Sequence, residues 1–161
     1  MALKLLAYRK KRNFKKTPEP SGTKKRAVKK PLFVVQKHYA SHLHYDFRLE
    51  MEGVLKSWAV PKGIPTKTAE KRLAIETEDH PLEYAYFKGV IPEGQYGAGR
   101  VEIWDRGTFI NLKEIPLKKS YRNGRMELEL KGKKLKGAFA LIHFREKQWL
   151  LIKMKKRSLE G

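Results

Sequence analysis

The chain has no cysteine, which excludes disulfides and thiolate metal ligands and fits an intracellular setting. It is also poor in acids: 17 Asp and Glu against 37 Lys and Arg leave a net charge of +20, far more than solubility needs. Such an excess points to a polyanionic partner, and nucleic acid is the commonest. No run approaches the ~20 apolar residues of a membrane span, and the apolar start from Ala2 to Ala7 is too short for a secretory signal. The expectation is therefore a cytoplasmic, nucleoid-associated protein without a membrane partner, expected to be a monomer. There are no internal repeats, and residues 32–155 hold no long stretch of 3.6-residue period, which argues against a helical fold. At 161 residues the length suits one domain around one core.

What is present is strand and turn. Expected strands run over Leu32–Lys37, His44–Met51, Val54–Val60, Leu73–Glu78, Arg100–Asp105, Thr108–Leu112, Arg125–Leu130, Ala138–Phe144 and Trp149–Met154. Turns are expected at Glu52-Gly53 and Arg106-Gly107, with Asp79–Tyr84 an exit turn or single helical turn. An irregular Gly-rich loop follows over Gly89–Gly99, and a lysine-rich connection follows Leu112. The natural closure is all-β: a compact antiparallel β-barrel of about eight strands with short helical turns. The Gly-rich loop lacks a following Lys-Ser/Thr helix start, which excludes a nucleotide-binding P-loop.

Residues 1–30 form a basic N-terminal arm and residues 31–161 the barrel domain. The arm carries 12 Lys and Arg against Glu19 alone, more than half the net charge. Such a run is expected to add phosphate affinity. Phe14 and the turn-forming residues 17–22 suggest partial order against the body. Residues 1–8 are expected to be dispensable, whereas Lys24, Lys25, Arg26, Lys29 and Lys30 are expected to grip phosphates.

Chemistry concentrates in QKHYASHLHYDFR, residues 36–48, with three of the five histidines. His44, Asp46 and Arg48 alternate with Tyr45, Phe47 and Leu49, so an extended strand puts the polar trio on one face and the apolar trio on the other. A hairpin through Tyr39 to Leu43 would bring His38 beside His44 and Asp46, a set suited to a divalent metal with open positions for water and substrate. Arg48 would then grip an anion. The same spacing also suits half-exposed surface histidines and a cross-strand ion pair. Polar residues gather again at Glu78, His80 and Tyr84, and Pro81 fixes the direction of His80. Lys62 sits on a rigid loop between Pro61 and Pro65.

Four ordered motifs, QKHYASHLHYDFRLE (36–50), KSWAVPKG (56–63), EDHPLEY (78–84) and IPEGQYGAG (91–99), resemble the 3'-phosphoesterase domain of bacterial DNA ligase D. The match runs from about Arg9 to Lys153, and with no room for ligase or polymerase domains it resembles the stand-alone form. The resemblance implies a manganese-dependent enzyme, with zinc or cobalt as other metals the donor set accepts. It would act on DNA or RNA/DNA primer-template 3' ends, alongside a separate ligase and polymerase of end joining. The family removes a 3'-terminal ribonucleoside to leave a 3'-phosphate, then removes that phosphate to leave a 3'-hydroxyl. Metal ligands then fall on His38, His44 and Asp46. Phosphate-binding groups fall on Arg48, His80 and Tyr84, with Gln36 and Glu78 in support and Arg12 and Glu19 placed over the active site. His42 and His143 match no ligand position. Where the family usually has an acid after the arginine of its N-terminal motif, this chain has Asn13, which implies a weaker grip on a terminal ribonucleoside. A non-catalytic nucleic-acid-binding barrel and a small-molecule phosphatase are the rival readings.

Overall fold

The computed structural model describes residues 5–22 and 30–155. Lys24, Lys25, Arg26 and Lys29 of the basic arm lie outside the described residues. Four strands form a meander: β1 (Leu32–Tyr39), β2 (Leu43–Met51), β3 (Val54–Val60) and β4 (Lys71–His80). The chain continues with a 3-10 helix (Leu82–Tyr86), β5 (Gly89–Ile91), β6 (Gly99–Asn111), β7 (Arg125–Lys131), β8 (Lys136–Arg145) and β9 (Gln148–Lys153). Two short helices complete it, α1 (Leu6–Lys10) and α2 (Leu117–Asn123).

The strands pair in the order β1-β2-β3-β4-β9-β8-β7-β6, and β6 pairs back onto β1, closing an eight-stranded antiparallel barrel. Closure pairs the backbone edges that short strands would otherwise expose. β5 lies outside the ring against residues 99–101 of β6. Because the seat of β6 is on the far side of β1 from β4, the chain between them must cross the outer face of β1. That crossing carries the 3-10 helix and β5, and it builds one wall of the pocket described below.

Alternation sorts β1 and β2 into two cores. Phe33, Val35, Phe47 and Leu49 join Trp58, Met126, Phe139, Leu141 and Trp149 inside the barrel. Val34, of opposite parity, joins Leu55, Tyr84, Phe87, Ile91, Val101 and Tyr8 in a second cluster beneath the crossing and α1. Burial on both faces explains why β1 begins as a continuous apolar run. Truncating a fully buried ring such as Phe47 costs about 3–5 kcal/mol.

Three expectations need correction. Arg106-Gly107 is not a turn: β6 runs unbroken through it, and a Cβ at Gly107 would lie 2.1 Å from the carbonyl oxygen of Lys131. The glycine answers a close approach of strands. The lysine-rich connection contains α2, entered through Pro116 and ended by Gly124 at φ 83°, the usual proline-in, glycine-out pair. The third concerns residues 1–8, expected to be dispensable. Tyr8 is fully buried and Leu5 is 6 % exposed, so deleting them opens the second core.

Candidate active site and metal centre

Register places the site. β1 and β2 pair Gln36 with Asp46 and His38 with His44, and β3 sets Ser57 beside Arg48 and Ala59 beside Asp46. All these side chains share the outer parity, opposite to Val35, Phe47 and Trp58. His38, His44, Asp46, Arg48 and Ala59 floor a pocket of about 350 Å³ whose walls come from the N-terminal segment (Arg12, Glu19), the end of β4 (Glu78, His80) and the crossing (Tyr84, Tyr96).

His38 Nε2 lies 2.7 Å from the carbonyl oxygen of Gly97, and His44 Nδ1 lies 3.2 Å from that of His42. A carbonyl only accepts, so each of these nitrogens carries the ring hydrogen. The lone pairs then sit on His38 Nδ1 and His44 Nε2, and both face Asp46 Oδ2, at 3.6 and 3.2 Å. Three acceptors converge within 4.8 Å of one another. Such a set repels itself until a proton or a cation enters it. The carboxyl of Asp46 is held well below the usual carboxylate range: burial opposes ionisation, but the charge of Arg48 and the hydrogen bonds that the two imidazoles make once a proton enters the set outweigh it. The hydrogen bond to Asp46 raises His44 above its ordinary value against the effect of burial. Two imidazole nitrogens and one carboxylate fit a divalent first-row ion, and the Gly97 and His42 carbonyls are the outer partners that fix the rings.

Beside the trio lies a hydrogen-bonded network. Arg48 Nε donates to Gln36 Oε1 at 2.7 Å, and Gln36 Nε2 donates to the carbonyls of Tyr84 and Phe87 at 2.8 and 3.0 Å. One side chain thus aims the guanidinium and fastens the crossing to β1. The guanidinium stacks 4.9 Å over the Tyr84 ring and places Nη1 3.2 Å from His80 Nδ1. That nitrogen is closer, 2.9 Å, to the carbonyl oxygen of Glu78. Burial, followed by the charges of Arg48 and Arg12, pushes His80 well below its ordinary value, so its ring is neutral. Tyr84 donates its hydroxyl to Glu19 at 2.7 Å, Thr17 donates to the same carboxylate, and Arg12 bridges Glu19 and Glu78 at 3.1 Å each. Two buried guanidiniums and the ammonium of Lys11 face three carboxylates, Asp46, Glu19 and Glu78, so the charges balance. A divalent cation would make the pocket net positive and attractive to phosphate.

The family described as "DNA Ligase D 3'-phosphoesterase domain" matches residues 36–143. The multifunctional non-homologous end joining protein LigD of Pseudomonas aeruginosa is 50% identical over 157 residues, covering 94% of this chain and 18% of that protein. Those of Mycobacterium bovis and Mycolicibacterium smegmatis are 47% and 46% identical, each over 96% of this chain and 20% and 21% of theirs. The chain belongs to the DNA ligase D 3'-phosphoesterase family. It spans about a fifth of the length of the curated relatives it matches.

Within this phosphoesterase domain, the residues singled out from sequence are brought together with two exceptions. Lys62 lies on the surface beside Pro61 and Leu73, outside the site. Asn13 is exposed, and its Oδ1 accepts the backbone N–H of Lys15 in a local turn. The side chain that was expected to touch a terminal sugar is used to shape the segment. Sequence reasoning missed Tyr8, whose ring packs 5.0 Å from His80 and 4.0 Å from the Arg12 guanidinium. It also missed Ser57, whose Oγ lies 3.4 Å from His80 Nδ1, and Lys11, which pairs with Glu78 at 3.2 Å. An aromatic inside a basic arm was the available signal for Tyr8. Among the described residues, no helix is long and apolar enough to cross a membrane.

Proposed function

We propose that this protein is a metal-dependent phosphoesterase that trims DNA or RNA/DNA primer-template 3' ends for end-joining repair. It would remove a 3'-terminal ribonucleoside and then the exposed 3'-phosphate, leaving a 3'-hydroxyl. The observation that carries this reading is the convergence of lone pairs from His38, His44 and Asp46 beside the aimed guanidinium of Arg48. Manganese is the proposed ion; zinc and cobalt suit the same donors. When bound, the metal supplies Lewis-acid polarisation of a phosphate oxygen and a more acidic bound water.

The chain's own residues supply the rest. Arg48, held by Gln36 and stacked on Tyr84, donates to phosphate oxygens and stabilises the charge that grows there in the transition state. Arg12, held between Glu19 and Glu78, presents a second cation at the rim, and Tyr84 positions Glu19 by its hydroxyl. His80 is neutral at rest, with Nδ1–H donated to the Glu78 carbonyl. An arriving phosphate offsets the charges of Arg48 and Arg12, raises the proton affinity of His80 and lets it protonate the leaving oxygen. In ribonucleoside removal, water adds to phosphorus and the bond to the departing nucleoside's 5'-oxygen breaks. In phosphate removal the bond to the strand's 3'-oxygen breaks, giving inorganic phosphate. The partners are nucleic-acid ends and, in the same repair, a ligase and a polymerase acting separately; the protein would work as a monomer in the compartment that holds the chromosome.

The test is product mapping. A 5'-labelled primer-template ending in a 3'-ribonucleotide or 3'-phosphate is incubated with protein, with manganese or with chelator, and resolved to one nucleotide. Metal-dependent conversion to a 3'-hydroxyl is expected. Equal DNA binding with and without chelator and no product would replace this reading with a non-catalytic nucleic-acid-binding barrel.

A further inference from the structure

A second cleft, of about 710 Å³, runs along the outside of β6 between β5 and the β7–β8 turn, and the function proposed above does not use it. Lys88, Arg100, Arg106 and Lys133 line it. Among the described residues no carboxylate pairs with Lys88, Arg106 or Lys133. The cleft holds two acids. Asp105 is buried and accepts the backbone N–H groups of residues 133–135, so it serves the turn. Glu102 is exposed and is held by Arg100 at 3.1 Å and the Tyr39 hydroxyl at 3.2 Å.

Aromatic rings alternate with these cations. Arg106 lies 4.5 Å over Tyr86, Lys134 4.6 Å over Trp104 and Arg100 4.1 Å over Tyr39. Trp104 is the extra residue of a bulge in β6, where Val35 pairs with Asp105 and Gln36 with Ile103. Trp104 lines the cleft half-buried, packed on one side against the barrel core and edge-on to Tyr45 at 5.7 Å, with Lys134 over its ring. Tyr86 and Val90 at the margin are 51 % and 61 % exposed. Positive charge interleaved with ring faces suits a strand whose phosphates take the cations while its unpaired bases take the rings. Tyr39 and Arg100 pair across β1 and β6 one residue beyond His38 and Val101, so the cleft begins next to the metal centre.

We infer that this cleft is a binding site for a single nucleic-acid strand, with Trp104 as a base-stacking platform and Lys88, Arg106 and Lys133 as phosphate contacts. The inference rests on the reading that the neighbouring pocket works on strand ends, but its test measures binding alone, in chelator, and is independent of turnover.

The protein has three tryptophans, and Trp58 and Trp149 are buried, at 0 % and 2 % exposed. Quenching of tryptophan emission by an oligothymidylate therefore reports Trp104 directly. Wild-type protein is expected to show saturable quenching that Trp104→Phe abolishes, while anisotropy of a labelled oligothymidylate still shows binding weakened about 10-fold. Combining Lys88→Ala, Arg106→Ala and Lys133→Ala should flatten the salt slope of binding by about 2, at roughly 0.7 per single-strand phosphate contact. Three results would each overturn the proposal: binding without quenching, an unchanged salt slope in the triple variant, or competition by fully paired duplex as strong as by single strand. If quenching holds and no end processing is ever seen, the cleft stands and the proposed function falls.

Discussion

Arg12 and Glu19 tie the N-terminal segment into the pocket, and a double-variant cycle across them measures what that tie contributes. Their side chains are 5 % and 1 % exposed and meet at 3.1 Å. Arg12→Met would leave the Glu19 carboxylate buried with only the hydroxyls of Thr17 and Tyr84. Stranding one partner of a buried pair costs about 3–5 kcal/mol, and the two remaining donors place this case near ~3. Glu19→Gln is milder, about 1–2 kcal/mol, because Arg12 keeps Glu78 and the Tyr8 carbonyl. In the double variant the Glu19 charge is gone and Glu78 keeps Lys11, so it should be about 2 kcal/mol more stable than the two losses added. Urea unfolding followed by tryptophan emission gives all three values. Losses that simply add would refute the claim that these groups form one coupled unit over the pocket.

Four further outcomes are expected. Gly99 has φ 132°, and a Cβ there would lie 2.1 Å from the Tyr39 carbonyl oxygen; Gly99→Ala should cost about 3 kcal/mol, and a thermal melt should fall by about 6–12 °C. Because His44 is raised by its bond to Asp46, it holds its proton to a higher pH than a free imidazole. A divalent ion must displace that proton, so metal affinity measured by calorimetry should rise with pH through the His44 titration and flatten above it. His80 is lowered, so the unfolded chain takes up its proton first. Stability from this residue is full above the unfolded value of ~6.5 and is lost as pH falls toward the folded one; the stability gap between wild type and His80→Asn should shrink between pH 7 and 5. Finally, Asn13→Asp should leave removal of a 3'-ribonucleoside and of a 3'-phosphate within about 2-fold of wild type on product gels, since Asn13 faces solvent and an Asp can accept the same Lys15 N–H.

Much of this architecture is readable in the chain. The alternation of His44, Asp46 and Arg48 with Tyr45, Phe47 and Leu49 separates site from core in advance, because the pleat allows no other sorting. The short apolar runs between turns give the barrel, because strands with one buried face need closure. The cover over the site is harder to read. Gln36 looks like the polar end of an apolar strand, and only the passage of residues 81–98 over β1 turns it into a clamp on Tyr84 and Phe87. Tyr8 and Arg12 sit among charges typical of a mobile tail, and their order comes from partners 66 to 76 residues away in sequence, such as Glu78 and Tyr84. Gly107 looks like a turn because a close approach of two backbones has no sequence signature of its own. Trp104 looks like one more strand residue, and the bulge that seats it in the cleft wall is a property of the β1–β6 closure.

Phosphate release from a 3'-phosphorylated primer-template, followed as manganese is added to wild-type protein and to Asp46→Ala, is the most direct test of the proposed metal centre. Wild-type turnover is expected to rise and saturate with the ion. Asp46→Ala, folded by its unchanged near-ultraviolet circular dichroism, is expected to stay at background at every concentration. Wild-type turnover in that variant would contradict the assignment of His38, His44 and Asp46 as the centre that activates the phosphoester.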